Sequence, residues 1–385
     1  MIYMDNSATS HPKPYSVRRA VKRAYSKFYA NAGRGSSKDA LRAANELYSA
    51  RETLGALVGT SPENIVFTYN ATYALNMALH GIIKEGMTVA VDRFSHNSVL
   101  RPLYALSAKG VKLRFLESSI TRDSVIIDSF ERLVRREKVD VLVLNHTSNV
   151  TGKIAPVKRL SEVCRQFGVY LVLDASQGIG SSDIDMKKLG VDILASSGHK
   201  GLYGITGTGF LAVNDDFPLV LDPLITGGSG IFSMEKGMPS LLPERLEAGT
   251  LGMVGISSMK AGAEFLLDVG TEAIGEWEKA LRKRIITGLM NISGTEVYNA
   301  DVNAKSIILF NVHGMTSSSL ADKLDRAGFA GRAGYHCAPL AHELLQTNNP
   351  ENDGAMRLSV GIFNTDSECD KLISAVNKIA TGKKS

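Results

Sequence analysis

Short, nearly unbroken apolar runs recur through the first two-thirds of the chain, at 87–91, 112–116, 139–144, 169–174, 191–195 and 209–213. Runs of this length without polar alternation predict strands covered on both faces. Between them, stretches 37–58, 72–83, 128–138 and 157–167 carry helical patterns. Strands alternating with helices predict an α/β layer built on a mostly parallel sheet. After about Gly255 the texture changes. Helical patterns at 257–269, 273–290 and 318–327 dominate, broken by a short strand at 306–312. Thr365-Asp366-Ser367-Glu368 is a capping-box pattern and predicts the start of the last helix. The expected organisation is a large domain over 15–255 and a smaller α+β domain formed by 1–14 and 256–385. No internal repeat or low-complexity segment interrupts it. Thr226-Gly227-Gly228-Ser229-Gly230 is too short for a linker and reads as a tight loop.

Bulk composition narrows the function classes. The 385 residues suffice for two domains and a sizeable core, with 44% apolar and 22% charged residues. Net charge is only +5, and the basic pairs Arg18-Arg19 and Lys383-Lys384 are too short for a nucleic-acid patch. No apolar run approaches the ~18–20 residues of a membrane span. Met1-Ile2-Tyr3-Met4-Asp5 shows no secretory signal pattern. Three scattered cysteines, Cys164, Cys337 and Cys369, predict neither a disulfide framework nor a metal site. A reducing cytoplasm is the expected compartment.

Chemistry concentrates at strand ends. The run 169–173 delivers Asp174 at its carboxyl end, followed by Ala175-Ser176-Gln177. The run 191–195 leads into Ser196-Ser197-Gly198-His199-Lys200-Gly201. Alone, the lysine reads as a surface residue and the aspartate as a helix cap. Together they can converge, because ligand sites of α/β sheets form beyond the carboxyl ends of strands. Pyridoxal 5′-phosphate (PLP) chemistry needs such a pair. A carboxylate keeps the ring nitrogen protonated, and a lysine amine joins the cofactor aldehyde and moves protons at Cα. Gly204-Ile205-Thr206-Gly207-Thr208-Gly209 precedes a strand instead of opening a helix after one, so it fails as a dinucleotide loop.

With these segments the chain resembles the class V aminotransferase-fold proteins, of PLP-dependent transferase fold type I, from Tyr3 to Phe363. Within them it resembles the cysteine desulfurases and selenocysteine lyases. Asn70-Ala71-Thr72 opens a predicted helix, whose free N–H groups suit a phosphate. The resemblance assigns the phosphate to Thr72 and the Ala71 backbone, although the family's first glycine and glutamate are replaced by Asn70 and Tyr73. It adds Ser197 and His199 as further phosphate ligands. Thr250, in Glu247-Ala248-Gly249-Thr250, would reach the phosphate of a neighbouring subunit, implying a homodimer with shared sites. His96 aligns with the histidine that stacks on the cofactor ring, with Ser95 in place of the usual glutamate. Asn149 and Gln177 align with residues beside the phenolic oxygen.

Gly331-Arg332-Ala333-Gly334-Tyr335-His336-Cys337-Ala338-Pro339-Leu340 resembles the cysteine loop of the SufS-like, short-loop desulfurases. Tyr335 replaces the first histidine of that loop's pair, and the segment after Ala338 is one residue shorter. Arg332 and His336 beside Cys337 would favour its thiolate, the reactive form. Arg357, in Met356-Arg357-Leu358-Ser359, aligns with the arginine that grips the substrate carboxylate, a task for a planar fork. The resemblance thus implies a PLP-dependent desulfurase acting on L-cysteine or L-selenocysteine. Lys200, Cys337, His96 and Asp174 would be catalytic, Arg357 and Arg332 would hold substrate, and a sulfur-acceptor protein would take the product sulfur. Two alternatives stay open: another PLP reaction such as transamination or C–S lysis, and a non-catalytic PLP-binding partner in sulfur transfer.

Overall fold

In the computed structural model, residues 1–32, 35 and 37–382 are described; the Lys383-Lys384 pair lies outside them. In chain order the first half comprises β1 (Ile2–Tyr3), α1 (Tyr15–Lys27), α2 (Lys38–Val58), β2 (Ile65–Thr68), α3 (Ala71–Ile82), β3 (Thr88–Val91), α4 (Asn97–Ser107), β4 (Lys112–Phe115), α5 (Asp123–Arg136) and β5 (Val141–Asn145). Next come α6 (Val157–Phe167), β6 (Tyr170–Asp174), α7 (Met186–Leu189), β7 (Ile193–Ser197), β8 (Gly209–Val213), α8 (Met253–Val269) and α9 (Thr271–Met290). The rest is β9 (Thr295–Val297), β10 (Ile307–Val312), α10 (Ser317–Arg326), β11 (Phe329–Ala330), α11 (Pro339–Leu344), β12 (Met356–Ser359) and α12 (Asp366–Thr381).

Seven strands form the main sheet, in the order β2-β8-β7-β6-β5-β3-β4. Neighbours from β7 through β4 pair parallel, while β8 runs antiparallel to both β7 and β2. All side chains of β3, β5, β7 and β8 are buried, as expected for strands covered on both faces. One apolar cluster fills one face with Leu54, Phe130, Leu171 and Leu266; a second fills the other with Leu75, Leu79, Leu103 and Val143.

The expected boundary at 255/256 falls inside α8. That helix packs on α1 and α2, and its Ile256, Met259, Ala263 and Leu266 belong to the core of the large sheet. A separate core gathers Met4, Leu281, Ile285, Phe310, Leu358, Cys369 and Leu372 around the antiparallel sheet β12-β10-β9. The N-terminal strand β1 pairs with β11, so the first residues of the chain join this smaller unit. The capping box forms as expected: Thr365 accepts from Glu368 N–H, and the Glu368 carboxylate accepts from Thr365 N–H. A small apolar cluster, Phe94 and Val150 with Leu309, Ala338 and Ala355, brings residues 94 and 150 against the loop that carries Cys337.

Candidate active site

Parallel pairing sets the geometry of the site. Asn145, Asp174 and Ala195 stand side by side in the register of β5, β6 and β7, so the loops leaving these strands emerge at one edge of the sheet. A cavity of about 200 Å³ opens there. It is lined by Ala71 and Thr72 from the start of α3, by His96, by Asn149, by Asp174 and Gln177, and by Ser197, His199 and Lys200. Nine of the residues singled out from the sequence thus meet in one space. Asn145, Thr147, Ser98 and Ser176 line it too; they lie in or beside the motifs, but nothing in residue type alone marked them.

Each side chain has a local reason to be where it is. Asn70 caps α3 by accepting from Tyr73 N–H at 2.9 Å, which leaves the Ala71 and Thr72 end of the helix at the cavity. The Thr72 hydroxyl lies 2.7 Å from Ser98 Oγ, and Ser98 Oγ lies 2.9 Å from His96 Nδ1. His96 itself caps α4, its Nδ1 accepting from Ser98 N–H at 3.0 Å. That bond requires an unprotonated Nδ1 and fixes the ring. Asp174 Oδ1 accepts from Ser176 N–H at 3.0 Å. Gly201 closes the turn after Lys200: a Cβ there would stand 1.9 Å from the Ile179 carbonyl oxygen, so only glycine fits.

Burial dominates the electrostatics. Lys200 is pulled down to about 8, mainly by desolvation, with Asp174 opposing and Arg357 and Arg332 adding to the fall. A sizeable neutral fraction of its amine is therefore present near neutral pH, the form that attacks a carbonyl. His96 and His199 are each lowered to about 4 by burial, so both are neutral at pH 7. Several buried polar atoms around the cavity have no protein partner among the described residues: Ser197 Oγ, His199 Nδ1, Ser176 Oγ, Asn145 Oδ1 and Asn149 Oδ1. Orphaned polar atoms at one site mark a place where a polar ligand completes the bonding.

Arg357 is 2% exposed and lies on β12. Its Nη2 pairs with Asp5 Oδ1 at 3.0 Å and its Nη1 donates to the Asn149 carbonyl at 2.9 Å, while Nε is unpartnered among the described residues. Asp5 has no local signal in the sequence; an Asp5–Ser359 bridge brings it across the small unit. Arg332 pairs backbone with Arg357, and its guanidinium lies 3.9 Å from Cys337 Sγ. Cys337 is exposed, whereas Cys164 and Cys369 are buried. The Cys337 carbonyl accepts from Asn97 N–H at 2.8 Å, which docks its loop beside His96. Thr250 is the one candidate outside this assembly. It is exposed and lines a different cavity of about 400 Å³, with Phe28, Tyr29 and Arg51. Its loop is anchored by Glu247, which accepts from buried Arg51 at 2.6 Å and from Phe67 N–H at 2.6 Å.

Two further histidines carry a pH consequence. His146 and His342 line no part of the cavity, and burial lowers each to about 4. Unfolding frees them to protonate near 6.5, so below that pH the unfolded state binds more protons than the folded one. Stability is unaffected above about 6.5 and falls progressively toward pH 4, by up to roughly 1.4 kcal/mol per pH unit per histidine. A thermal midpoint that stays constant between pH 7 and pH 5 contradicts this.

With the geometry in place, comparison with known proteins is direct. Residues 2–372 match the class-V aminotransferase family, and the chain belongs to it. Among its relatives, a probable cysteine desulfurase of Methanothermobacter thermautotrophicus is 30% identical over 98% of this chain and 94% of its own length. One of Pyrococcus abyssi, with the same description, is 31% identical over 100% and 96%. The apo structure of a cysteine desulfurase from Thermococcus onnurineus NA1 superposes with a TM-score of 0.90 at 29% identity, covering 99% of this chain and 95% of that one. The Escherichia coli cysteine desulfurase CsdA gives 0.84 at 26% identity, covering 98% and 94%. Among the described residues no helix is long and apolar enough to cross a membrane, and no group of three His, Cys, Asp or Glu could hold a metal.

Proposed function

We propose that this protein is a PLP-dependent cysteine desulfurase that converts L-cysteine to L-alanine and carries the released sulfur as a persulfide on Cys337. The observation that carries the reading is the juxtaposition of two chemistries. An exposed cysteine lies beside Arg332, whose backbone pairs with Arg357, and its loop docks on Asn97 N–H, next to His96 of a lysine–aspartate cavity with unpartnered polar atoms. A transaminase needs the second feature and not the first.

The residues fit the cofactor. Ser197 Oγ, His199 Nδ1 and the amide end of α3 at Ala71 and Thr72 offer donors for a phosphate. Asp174 would hold the ring nitrogen, His96 would face the ring, and Asn149 and Gln177 would serve the phenolic oxygen. Lys200 would hold the aldehyde. When bound, PLP supplies an electron sink for bonds broken at the substrate's Cα and Cβ. The rest falls to the chain itself. Arg357 holds the substrate carboxylate with its free Nε edge, and Arg332 flanks it. Lys200 Nζ takes the Cα proton and returns a proton to carbon. Cys337 Sγ attacks the substrate sulfur, so an S–S bond forms as the C–S bond breaks. The bonding pair passes to carbon, which gains a proton to become alanine. The persulfide sulfur is then available to an acceptor protein. No external oxidant is needed, because carbon is reduced as sulfur is oxidised. L-Selenocysteine fits the same steps.

Thr250 lies outside the cavity of its own chain, as required of a residue that serves a second subunit, which supports a homodimer with shared sites. A chain that stays monomeric at micromolar concentration while binding PLP normally would contradict that role. The function itself is tested by incubating the PLP-loaded protein with L-cysteine, L-selenocysteine and a panel of other amino acids. Alanine with protein-bound persulfide is expected. Pyruvate with free sulfide, or a keto acid from the panel, would replace this reading with lysis or transamination.

A further inference from the structure

The loop carrying Cys337 is held by hydrogen bonds that the sulfur chemistry does not itself use. His336 and Cys337 both have left-handed backbones, with φ of 49° and 58°. Side-chain-bearing residues adopt that conformation rarely, and keep it only when their surroundings impose it. Asn149 Nδ2 donates to the His336 carbonyl at 2.6 Å and Asn97 N–H to the Cys337 carbonyl at 2.8 Å. The turn is closed by Ala338 N–H donating to the Tyr335 carbonyl at 3.0 Å, and a buried chain of side chains adds a further restraint. His336 Nε2 lies 3.2 Å from the Arg332 carbonyl, and His336 Nδ1 lies 3.2 Å from His342 Nε2. His342 Nδ1 lies 2.7 Å from Thr347 Oγ1. His342 and Thr347 are fully buried and His336 nearly so, beside the apolar Ala338, Ala341 and Ala355.

The direction of this chain is set at its far end. The Arg332 carbonyl can only accept, so His336 Nε2 must carry the proton. A neutral His336 then accepts at Nδ1, so His342 donates from Nε2 and accepts at Nδ1, and the Thr347 hydroxyl donates to it. Every link is satisfied in this one arrangement. Burial lowers the pKa of both rings, which keeps them neutral. We propose that Thr347 and His342 are positioning residues for the cysteine loop. By fixing the tautomer of His336 they tie its Nε2 to the Arg332 carbonyl, which Arg357 N–H already holds at 2.7 Å, and so keep Cys337 Sγ against the Arg332 guanidinium, 3.9 Å away. The catalytic meaning of that position rests on the desulfurase reading; the position itself does not.

Thr347→Val keeps the shape and removes the donor, while Thr347→Ser restores it. In the PLP-loaded enzyme, Thr347→Val should lower the kcat for alanine formation on the order of tenfold, the factor that one lost buried hydrogen bond corresponds to. The KM for L-cysteine and the cofactor absorbance should stay at wild-type values. The rate of Cys337 alkylation by iodoacetamide should change by a similar factor, with an altered pH profile, and Thr347→Ser should recover both. His342→Gln retains a donor near Nε2 and should fall between Val and wild type. Wild-type alkylation profiles in both Thr347→Val and His342→Gln overturn the proposal, and so does a Thr347→Ser protein as impaired as the Val variant. Alkylation is read without turnover, so it decides this inference even if alanine is not the product.

Discussion

Cys337→Ala abolishes alanine formation from L-cysteine, a loss on the order of a thousandfold or more, as expected for removal of a covalent nucleophile. Cofactor binding and substrate binding survive it. The thiol is not among the residues around the cofactor cavity, and Arg357 keeps its Asp5 and Asn149 partners without it. The reason for the size of the effect is chemical. Proton removal at Cα does not by itself take sulfur from Cβ and leave alanine; some nucleophile must accept the sulfur atom. The other two cysteines cannot substitute. Cys164 is buried in α6, and burial pushes its thiol far up. Cys369 is buried in α12 and pushed up to about 12. Neither is a thiolate near neutral pH, and the thiolate is the nucleophile. Alanine at the wild-type rate from the variant sinks the desulfurase reading. Retained pyruvate and sulfide favour C–S lysis.

How much of this was legible in the sequence depends on whether a feature is local. Helix α6 and strand β8 lie where the pattern puts them, at 157–167 and 209–213, because a clean period and a glycine boundary mark each. The last helix starts at its capping box for the same reason. Helix α4 is hidden in the pattern: Pro102 sits inside it, and its cap is His96, a residue not enriched at caps. Helix α1 is hidden because it buries little, with only Val17 and Ala24 fully inside. Helix α5 begins at Asp123, five residues before the expected start, and takes in Val125-Ile126-Ile127, a β-branched triplet whose pattern does not separate helix from strand. The site obeys the same rule. Asp174 ends β6, and Lys200 and Thr72 follow β7 and β2; parallel register aligns the ends of β6 and β7, and two antiparallel pairings through β8 bring the end of β2 to the same edge. Asp5 on Arg357 and Thr347 on His342 could not be read that way. The first pair spans 352 positions and depends on the Asp5–Ser359 bridge. The second depends on the direction of a turn after α11.

Replacing Lys200 by alanine has the second large effect, and it separates cofactor attachment from cofactor recognition. The polar groups that would hold the phosphate and ring, namely Thr72, Ser197, His199, Asp174 and Gln177, do not need the lysine side chain for their position. Thr72 is set by α3 and Ser98, Asp174 by β6 and Ser176 N–H, and Gln177 by its own bond to the Ser7 carbonyl at 2.9 Å. The variant should therefore still bind PLP, but reversibly. The covalent link is lost, so borohydride reduction followed by denaturation leaves no added cofactor mass on the protein. The absorbance band at the visible–ultraviolet boundary shifts toward that of the free aldehyde. Turnover of L-cysteine falls by several orders of magnitude, because the amine that moves the Cα proton is gone and His96, already lowered to about 4 and committed through Nδ1 to Ser98, is a weak substitute. Lys13, the other nearby amine, cannot take over. Its Nζ donates to Ser10 Oγ at 2.8 Å and to the His199 carbonyl at 2.7 Å, outside the cavity lining. A Lys200→Ala protein that still gains cofactor mass on reduction would show that another amine carries the cofactor, and the assignment of this lysine would be wrong.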